Sequence, residues 1–314
     1  EQVREALTGA GGSEALTFPF MAESDFERMG LTPEDPRREA IRVANPLVEE
    51  ESLMRTSMCP AMLAALRTNI NQKRPGVFLF EIGRTYAPTE AITGGAELAR
   101  GETPASERLV LAGVMAGVVG GGSWHTPLRE YDFYDAKGVL EGLLARLHID
   151  NVAFERIGCP PLHPGRATAM VRGGVQLGTV GQLHPDVAGS YQVPQATLLF
   201  EVDMAQLMAA AQGGREYAPL PKYPAVERDV AMVLGRGATA ANAADTIRSA
   251  GGALVESVRL FDVYEGLQAE DGQRSLAFSI TYRAEDRTLT DAEVNQVHDA
   301  VRAAIARELG AVLR

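Results

Sequence analysis

Two histidines share one setting: His163 in LHPGR (162–166) and His184 in LHPDV (183–187), each between a leucine and a proline. An imidazole can ligate a metal, carry a proton or bond to backbone. A zinc or other transition-metal site needs several ligands at tight spacing, and neither histidine has carboxylates or thiols placed for that. His125, after Trp124, is equally isolated. The histidines therefore read as structural groups in two prolyl turns, capping backbone or touching neighbours. Cys59 and Cys159 stand far apart, each before a proline, which is neither a paired metal motif nor a disulfide framework. Such thiols suit a reducing, cytosolic setting. Ser57, Ser106, Ser123 and Ser275 lie in no G-x-S-x-G elbow. Glycines cluster from Gly117 to Gly122 behind an apolar run, but no Gly-Lys-Ser/Thr follows. A plain loop is expected there.

The remaining chemistry is that of RNA contact: cations for phosphates and aromatic rings for bases. Net charge is −11, which excludes a protein that coats nucleic acid by bulk attraction. From Pro221 onward there are 11 Lys/Arg against 14 Asp/Glu, a net −3, so the first 220 residues carry −8. Any RNA contact must use a local basic surface and show modest salt dependence. Lys222, Arg228, Arg274, Arg283 and Arg287 fall at the edges of strand-like runs. The competing reading for each is a solvated surface or weak local pairing, as in Arg228-Asp229 and Asp286-Arg287. Among the rings Phe261, Tyr264, Phe278 and Tyr282, strand alternation groups Phe278 and Tyr282 with Leu276 and Ile280, hence in the core. Tyr264, beside a turn, is the stacking candidate.

These residues need elements to carry them. Val258, Leu260 and Val263, then Leu276, Phe278, Ile280 and Tyr282, make two alternating apolar runs, separated by the polar, Gly-containing stretch Glu265 to Gln273. That is a β-hairpin. Thr290-Asp291-Ala292-Glu293 is a capping box ahead of Val294, Val297, Val301, Ala304 and Ile305 at helical spacing. Upstream, 227–234 reads as a strand and 239–250 as a helix stopped by Gly251-Gly252. With a short last strand over 311–314, the order is that of a split βαβ, ferredoxin-like domain.

Earlier in the chain, 3–10 reads as a short helix ended by Gly11-Gly12. Residues 15–21 read as an edge strand or interface border, 23–42 as loop with a short helix, and Asn45-Pro46-Leu47 as a turn. A helix over 57–71 presents Met58, Met62, Leu63, Leu66 and Ile70 on one face. Strands are expected over 77–82 and 109–118, joined by a polar surface hairpin over 88–108. A helix over 133–147 carries Val139, Leu140, Leu143, Leu144 and Leu147. Strands over 151–157, 167–171, 176–183 and 198–202 and a short helix over 204–211 complete an α+β domain. The expected division is 1–212, a proline-rich linker over 213–224, and 225–314. No apolar run is long enough to span a membrane, and the already helical start suggests a piece of a longer protein.

Four strings, YPAVERDVAMVL (223–234), LFDVYEG (260–266), RSLAFSITYR (274–283) and DRTLTDAEV (286–294), resemble in order the anticodon-binding domain that closes the bacterial phenylalanyl-tRNA synthetase beta chain. The earlier part is similar to the same family through NPLVEEESLMRTSMCPAMLAALRTNI (45–70), FLFEIGRTY (78–86), DFYDAKGVLEGLL (132–144), LHPGRATA (162–169) and GQLHP (181–185). Asp135, Lys137 and Arg166 fall within these strings, as buried polar supports or interface groups. The resemblance implies a class II synthetase-like antiparallel sheet with flanking helices, followed by the ferredoxin-like domain. The family's oligonucleotide-binding-fold domain, editing domain and module of acidic magnesium ligands have no counterpart in these residues.

The resemblance further implies a cytoplasmic ligase of protein biosynthesis, a tetramer of two alpha and two beta chains that uses ATP and magnesium to join phenylalanine to tRNA-Phe. This chain would dock the alpha chain and hold the anticodon stem-loop through candidates among Lys222, Arg228, Tyr264, Arg274, Arg283 and Arg287. A catalytic role is not expected of it. The ATP-binding arginine of class II catalysts would fall two residues before Glu81, where Leu79 stands. Their second, after a glycine-rich strand, has no counterpart in Glu201 to Gln206. The alternative is a ferredoxin-like amino-acid-sensing regulatory protein. A free-standing ligase and a purely structural protein explain the two-part resemblance less well.

Overall fold

The structure is a computed structural model that describes residues 1–48, 51–89, 105–120, 124–125, 127–211, 220–235, 237–264 and 273–314. The chain forms two compact units, Glu1–Arg215 and Glu216–Arg314.

The first unit begins with α1 (Gln2–Gly9), β1 (Ser13–Glu14), β2 (Phe20–Met21), α2 (Asp25–Arg28), β3 (Leu53–Met54) and α3 (Cys59–Asn71). Two long strands follow, β4 (Gly76–Pro88) and β5 (Ala105–Gly117), then α4 (Phe133–Arg146) and β6 (Ala153–Arg156). The unit ends with β7 (Leu162–Arg172), β8 (Val175–Leu183), α5 (Pro185–Tyr191), β9 (Leu198–Asp203) and α6 (Met204–Ala210). Its main sheet has the order β1-β4-β5-β9-β8-β7-β6, antiparallel except where β1 runs parallel to β4. Both faces are covered. On β5, Val110, Ala112, Val114 and Ala116 join one core with Met62, Leu63 and Leu66 of α3, while Leu111 and Met115 join another with Leu7 of α1 and Leu140 of α4. Burial on both sides explains the unbroken apolar run from Leu109 onward. Gly113 lies in the middle of β5 because a Cβ there would come within 2.1 Å of the Phe200 ring. The helix caps are local: Asp132 accepts from the amides of Tyr134 and Asp135 at the start of α4, in a reciprocal capping box.

Several expectations change here. Of residues 15–21 only Phe20 and Met21 are strand, and Leu16 and Phe18 stand 89% and 74% exposed. Pro19 offers no amide to a ladder. LHPGR is not a turn between strands but a bulge inside β7, whose register jumps between Leu162 and Ala167. Its echo LHPDV instead starts a helix, with His184 as N-cap of α5. The difference lies after the proline: Asp186 favours a first helical turn, whereas Gly165 does not. Pro88 and Ala105 to Arg108 belong to β4 and β5, which pair Pro88 with Ala105. Residues 90–104 of that expected hairpin loop lie outside the described residues, as do Gly121, Gly122, most of the linker and the turn over 265–272.

The second unit runs β10 (Val226–Leu234), α7 (Ala240–Gly251), β11 (Val255–Tyr264), β12 (Arg274–Tyr282), α8 (Asp291–Leu309) and β13 (Val312–Leu313). The sheet order β11-β12-β10-β13 gives the split βαβ arrangement, with both helices on one face. Capping boxes at Thr239–Asn242 and Thr290–Glu293 start the helices, and Gly310, at φ +59°, ends α8. Phe278, Ile280 and Tyr282 are buried against those helices. β11 departs from expectation. It is an edge strand, and Leu260 and Val263 remain 37% and 50% exposed rather than closing a core stripe.

One polar contact is set into this core. The Tyr282 hydroxyl lies 3.1 Å from His298 Nδ1, and burial pushes the phenol up to about 12. Burial, followed by the charge of Arg302, lowers His298 below 6.5. An imidazole whose pKa falls on folding binds its proton more readily in the unfolded chain. Its contribution is therefore intact above 6.5 and is lost as pH falls from there towards the folded value. Urea melts on either side of that pH should show the wild type losing more stability on acidification than His298→Gln. Equal losses would reject this role for His298.

Candidate functional site

On the α3 side of the first sheet the acidic groups are already engaged. Arg55 Nη2 lies 3.1 Å from Glu81 Oε1, with side chains 4% and 3% exposed. Arg55 also donates through Nη1 to Thr17 Oγ1 at 2.7 Å and through Nε to the Arg84 carbonyl at 2.8 Å, while Thr17 Oγ1 donates to Glu81 Oε2 at 2.6 Å. A buried ion pair is tolerable only when its spare donors and acceptors are satisfied, as they are here. Gly83 keeps the space open, since a Cβ there would fall 2.3 Å from Arg55 Nη2. Glu201, on β9, accepts from Ser57 Oγ at 2.9 Å and from the Met58 amide at 2.7 Å, bracing the start of α3. Asp203 caps α6 and pairs with Arg108 at 2.6 Å. These residues do not fit an ATP–magnesium site. Leu79 brings no guanidinium to the face, and Glu81 and Glu201 are held by internal donors.

The two prolyl histidines meet. His163 Nδ1 accepts from the Gly165 amide at 3.0 Å, His184 Nδ1 from the Asp186 amide at 3.3 Å, and the rings stack with centroids 5.9 Å apart. They cap backbone and touch neighbours, as expected. Both cysteines are free thiols, Cys59 buried and its pKa pushed up by that burial, Cys159 half-buried. Among the described residues no group of three or more His, Cys, Asp or Glu is placed to hold a metal. Asp135 forms a two-pronged contact with Arg129 at 2.6 and 2.7 Å, and that guanidinium holds its carboxyl below the usual range. Lys137 pairs with Glu141 and lies 4.6 Å from the Phe154 ring centroid. Arg166, exposed rather than buried, donates to Gln182 at 2.8 Å.

In the second unit the six proposed RNA contacts divide into two groups. Tyr264 pairs with Ser275 at one end of the sheet, next to Arg274, which donates to the Ala238 carbonyl at 2.8 Å. Arg283 lies just past the other end of β12, bonded to Glu256 at 3.0 Å and to the Tyr223 carbonyl. Arg283 and Lys222 line one cavity of about 570 Å³ with Glu256 and Glu285. Nine residues of strand separate the ends by about 27 Å. Arg228 lies on the helix-covered face. It reaches Asp291 at 3.4 Å, not its neighbour Asp229, because adjacent strand residues point to opposite faces. Arg287 pairs with Asp286 and Glu293, both at 2.9 Å. The Thr290 amide, then Arg287, hold Glu293 down at about 2. Lys222 is exposed and forms no ion pair among the described residues.

The open face of this sheet is built from short side chains, Ser275, Ala277, Ser279 and Thr281 on β12 and Ala231 on β10. Glu227 and Asp229 border it on one side. On the other, β11 contributes Ser257, Arg259, Asp262 and Tyr264, each paired with an open-face residue of β12. Phe278 and Tyr282 face the helices, so stacking on the central strands is excluded. Arg259, exposed and without an ion pair among the described residues, is the cation that the sequence reading missed. Plain alternation sets it opposite Val258 and Leu260, and it stands inside the strand-like run, whereas the cations first singled out lie at the edges of such runs.

Two family models match in tandem: the phenylalanyl tRNA synthetase beta chain CLM domain over residues 1–204, and the ferredoxin-fold anticodon binding domain over 221–314. Among curated relatives, the phenylalanine–tRNA ligase beta subunit of Symbiobacterium thermophilum is 41% identical over 311 residues, covering 99% of this chain and 34% of the relative. That of Moorella thermoacetica is 39% identical over 315 residues, covering 100% and 38%. That of Geobacter metallireducens is 35% identical over 315 residues, again covering 100% and 38%. The chain thus spans a little over a third of the length of these relatives. With both units matched along nearly their whole length, the chain belongs to the phenylalanyl-tRNA synthetase beta-chain family.

Proposed function

We propose that this chain serves, as part of a beta subunit, in the ATP-dependent joining of phenylalanine to tRNA-Phe. Residues 1–212 form a non-catalytic scaffold for an alpha chain, which handles ATP, magnesium and phenylalanine. Residues 213–224 link it to 225–314, which hold the anticodon stem-loop. The assembly contains two alpha and two beta chains and works in the cytoplasm. No helix among the described residues is long and apolar enough to cross a membrane.

The observation that carries the scaffold reading is the closed sheet face, where Arg55 and Thr17 occupy Glu81. The same network supports a docking role. Arg55 holds the Thr17 hydroxyl and the Phe18 carbonyl, while Leu16 and Phe18 project into solvent. Rigidly held, exposed apolar side chains of this kind suit a protein partner. With the alpha chain of the same organism co-expressed, Leu16→Asp with Phe18→Asp is expected to abolish co-purification. Wild-type recovery of the alpha chain would overturn the placement.

For RNA, support comes from the open face, where Tyr264 and Arg259 flank serine and threonine hydroxyls. Tyr264 stacks on a base, with Arg274 at the same end. At the other end Lys222, Arg228, Arg283 and Arg287 serve the phosphates. Titrating a tRNA-Phe anticodon stem-loop with the 314-residue chain should give saturable binding. Tyr264→Ala should weaken it by about fivefold to a hundredfold, the worth of one stacked base. Lys222→Ala should lower the slope of log affinity on log salt by about one. Absence of saturable binding at low salt would overturn the reading.

A further inference from the structure

β11 is the outermost strand of its sheet, and its far edge has no strand partner among the described residues. It is ten residues long with neither proline nor lysine, and Leu260, Phe261, Val263 and Tyr264 are 37, 47, 50 and 52% exposed. A long apolar edge of unpaired amides and carbonyls is a template for another strand. Which strand fits is written in its own order, Ser257-Val258-Arg259-Leu260-Phe261-Asp262-Val263-Tyr264. Laid antiparallel against a copy of itself about its midpoint, valine meets valine, Leu260 meets Phe261, and Arg259 meets Asp262 on both sides of the centre.

The bulge makes that pairing possible. In an antiparallel pair, facing residues lie on the same side of the sheet, and a two-fold axis normal to the sheet preserves the side. In a regular strand Arg259 and Asp262 would lie on opposite sides and could not face each other across such an axis. Here Leu260 pairs with Phe278 and Asp262 with Ala277, leaving Phe261 as the extra residue. Arg259 therefore faces Ser279 and Asp262 faces Ala277, both on the open side, while Val258 and Val263 share the helix side with Ile280 and Leu276. Leu260 and Phe261 together occupy one step of the ladder. Counted from that step, Arg259 and Asp262 are one step out on either side, Val258 and Val263 two, Ser257 and Tyr264 three. Each lies on the same face as its mate.

We infer that the chain self-associates through β11, a second copy's β11 adding antiparallel across a two-fold axis at Leu260–Phe261 to make one continuous eight-stranded sheet. Two Arg259–Asp262 pairs fix the register, and the exposed valine, leucine and phenylalanine side chains are covered. A slip of one step would set Arg259 against valine and turn faces against each other.

The test is the mass of the 314-residue chain, by sedimentation velocity over a concentration series without RNA. The wild type is expected to dimerise. Arg259→Asp and Asp262→Arg should each raise the dissociation constant roughly a hundredfold, because both symmetry-related pairs turn repulsive. The double swap should return it to within about threefold of wild type, since the pairs re-form with signs exchanged. Both positions are exposed, so thermal melts at concentrations low enough to keep every form monomeric should match the wild type. A monomer at every concentration would overturn the inference. So would a dimer indifferent to the single reversals, or a double variant no tighter than the singles.

Discussion

The buried pair between Arg55 and Glu81 organises the first unit. It joins the strand-adjacent segment at Thr17 and Phe18, the approach to α3 and the centre of β4, three stretches that no single element connects. Removing either partner would leave an uncompensated charge inside the sheet's packing, which typically costs about 3–5 kcal/mol. The glycine at 83 and the hydroxyl at 17 exist in relation to this pair, one leaving room and the other closing the carboxylate's second oxygen. Both oxygens of the Glu81 carboxylate are engaged by internal donors, and both partners of the pair are buried.

The second unit is governed by a different constraint, the position of each strand in its sheet. β12 is central, so its alternate residues are sealed beneath α7 and α8. β11 has the same apolar content but a neighbour on one side only, so its side chains remain half in water. The bulge at Phe261 re-aims everything from Asp262 to Tyr264. Ring chemistry that composition distributes over two strands is thereby confined to one edge.

Local signals were legible in the sequence. The Thr290–Glu293 box, the apolar spacing of α3 and α4, and the glycine after α8 act over three or four residues, the range of a helical turn. The ferredoxin-like order was legible for the same reason. What escaped depends on distant parts of the chain. Glu81 finds Arg55 across 26 positions and Glu201 finds Ser57 across 144, and nothing near either residue announces the other. Leu-His-Pro occurs twice with two structures because the outcome lies in the next residue and in the strand opposite. Asp262 and Tyr264 share the open face with Arg259 only because Phe261 is inserted between them, and no alternation within the strand announces that residue.

The short side chains on the open face of the second sheet affect whatever settles there. Alanine and serine have few rotamers to surrender, so immobilising Ala231, Ser275, Ala277 and Ser279 costs little conformational entropy. A surface of lysines and glutamines would have to freeze many more torsions over the same area. A partner docking on this face would meet it already rigid, with peptide planes close to the surface, and would be selected by how well a flat shape matches the twist of the sheet.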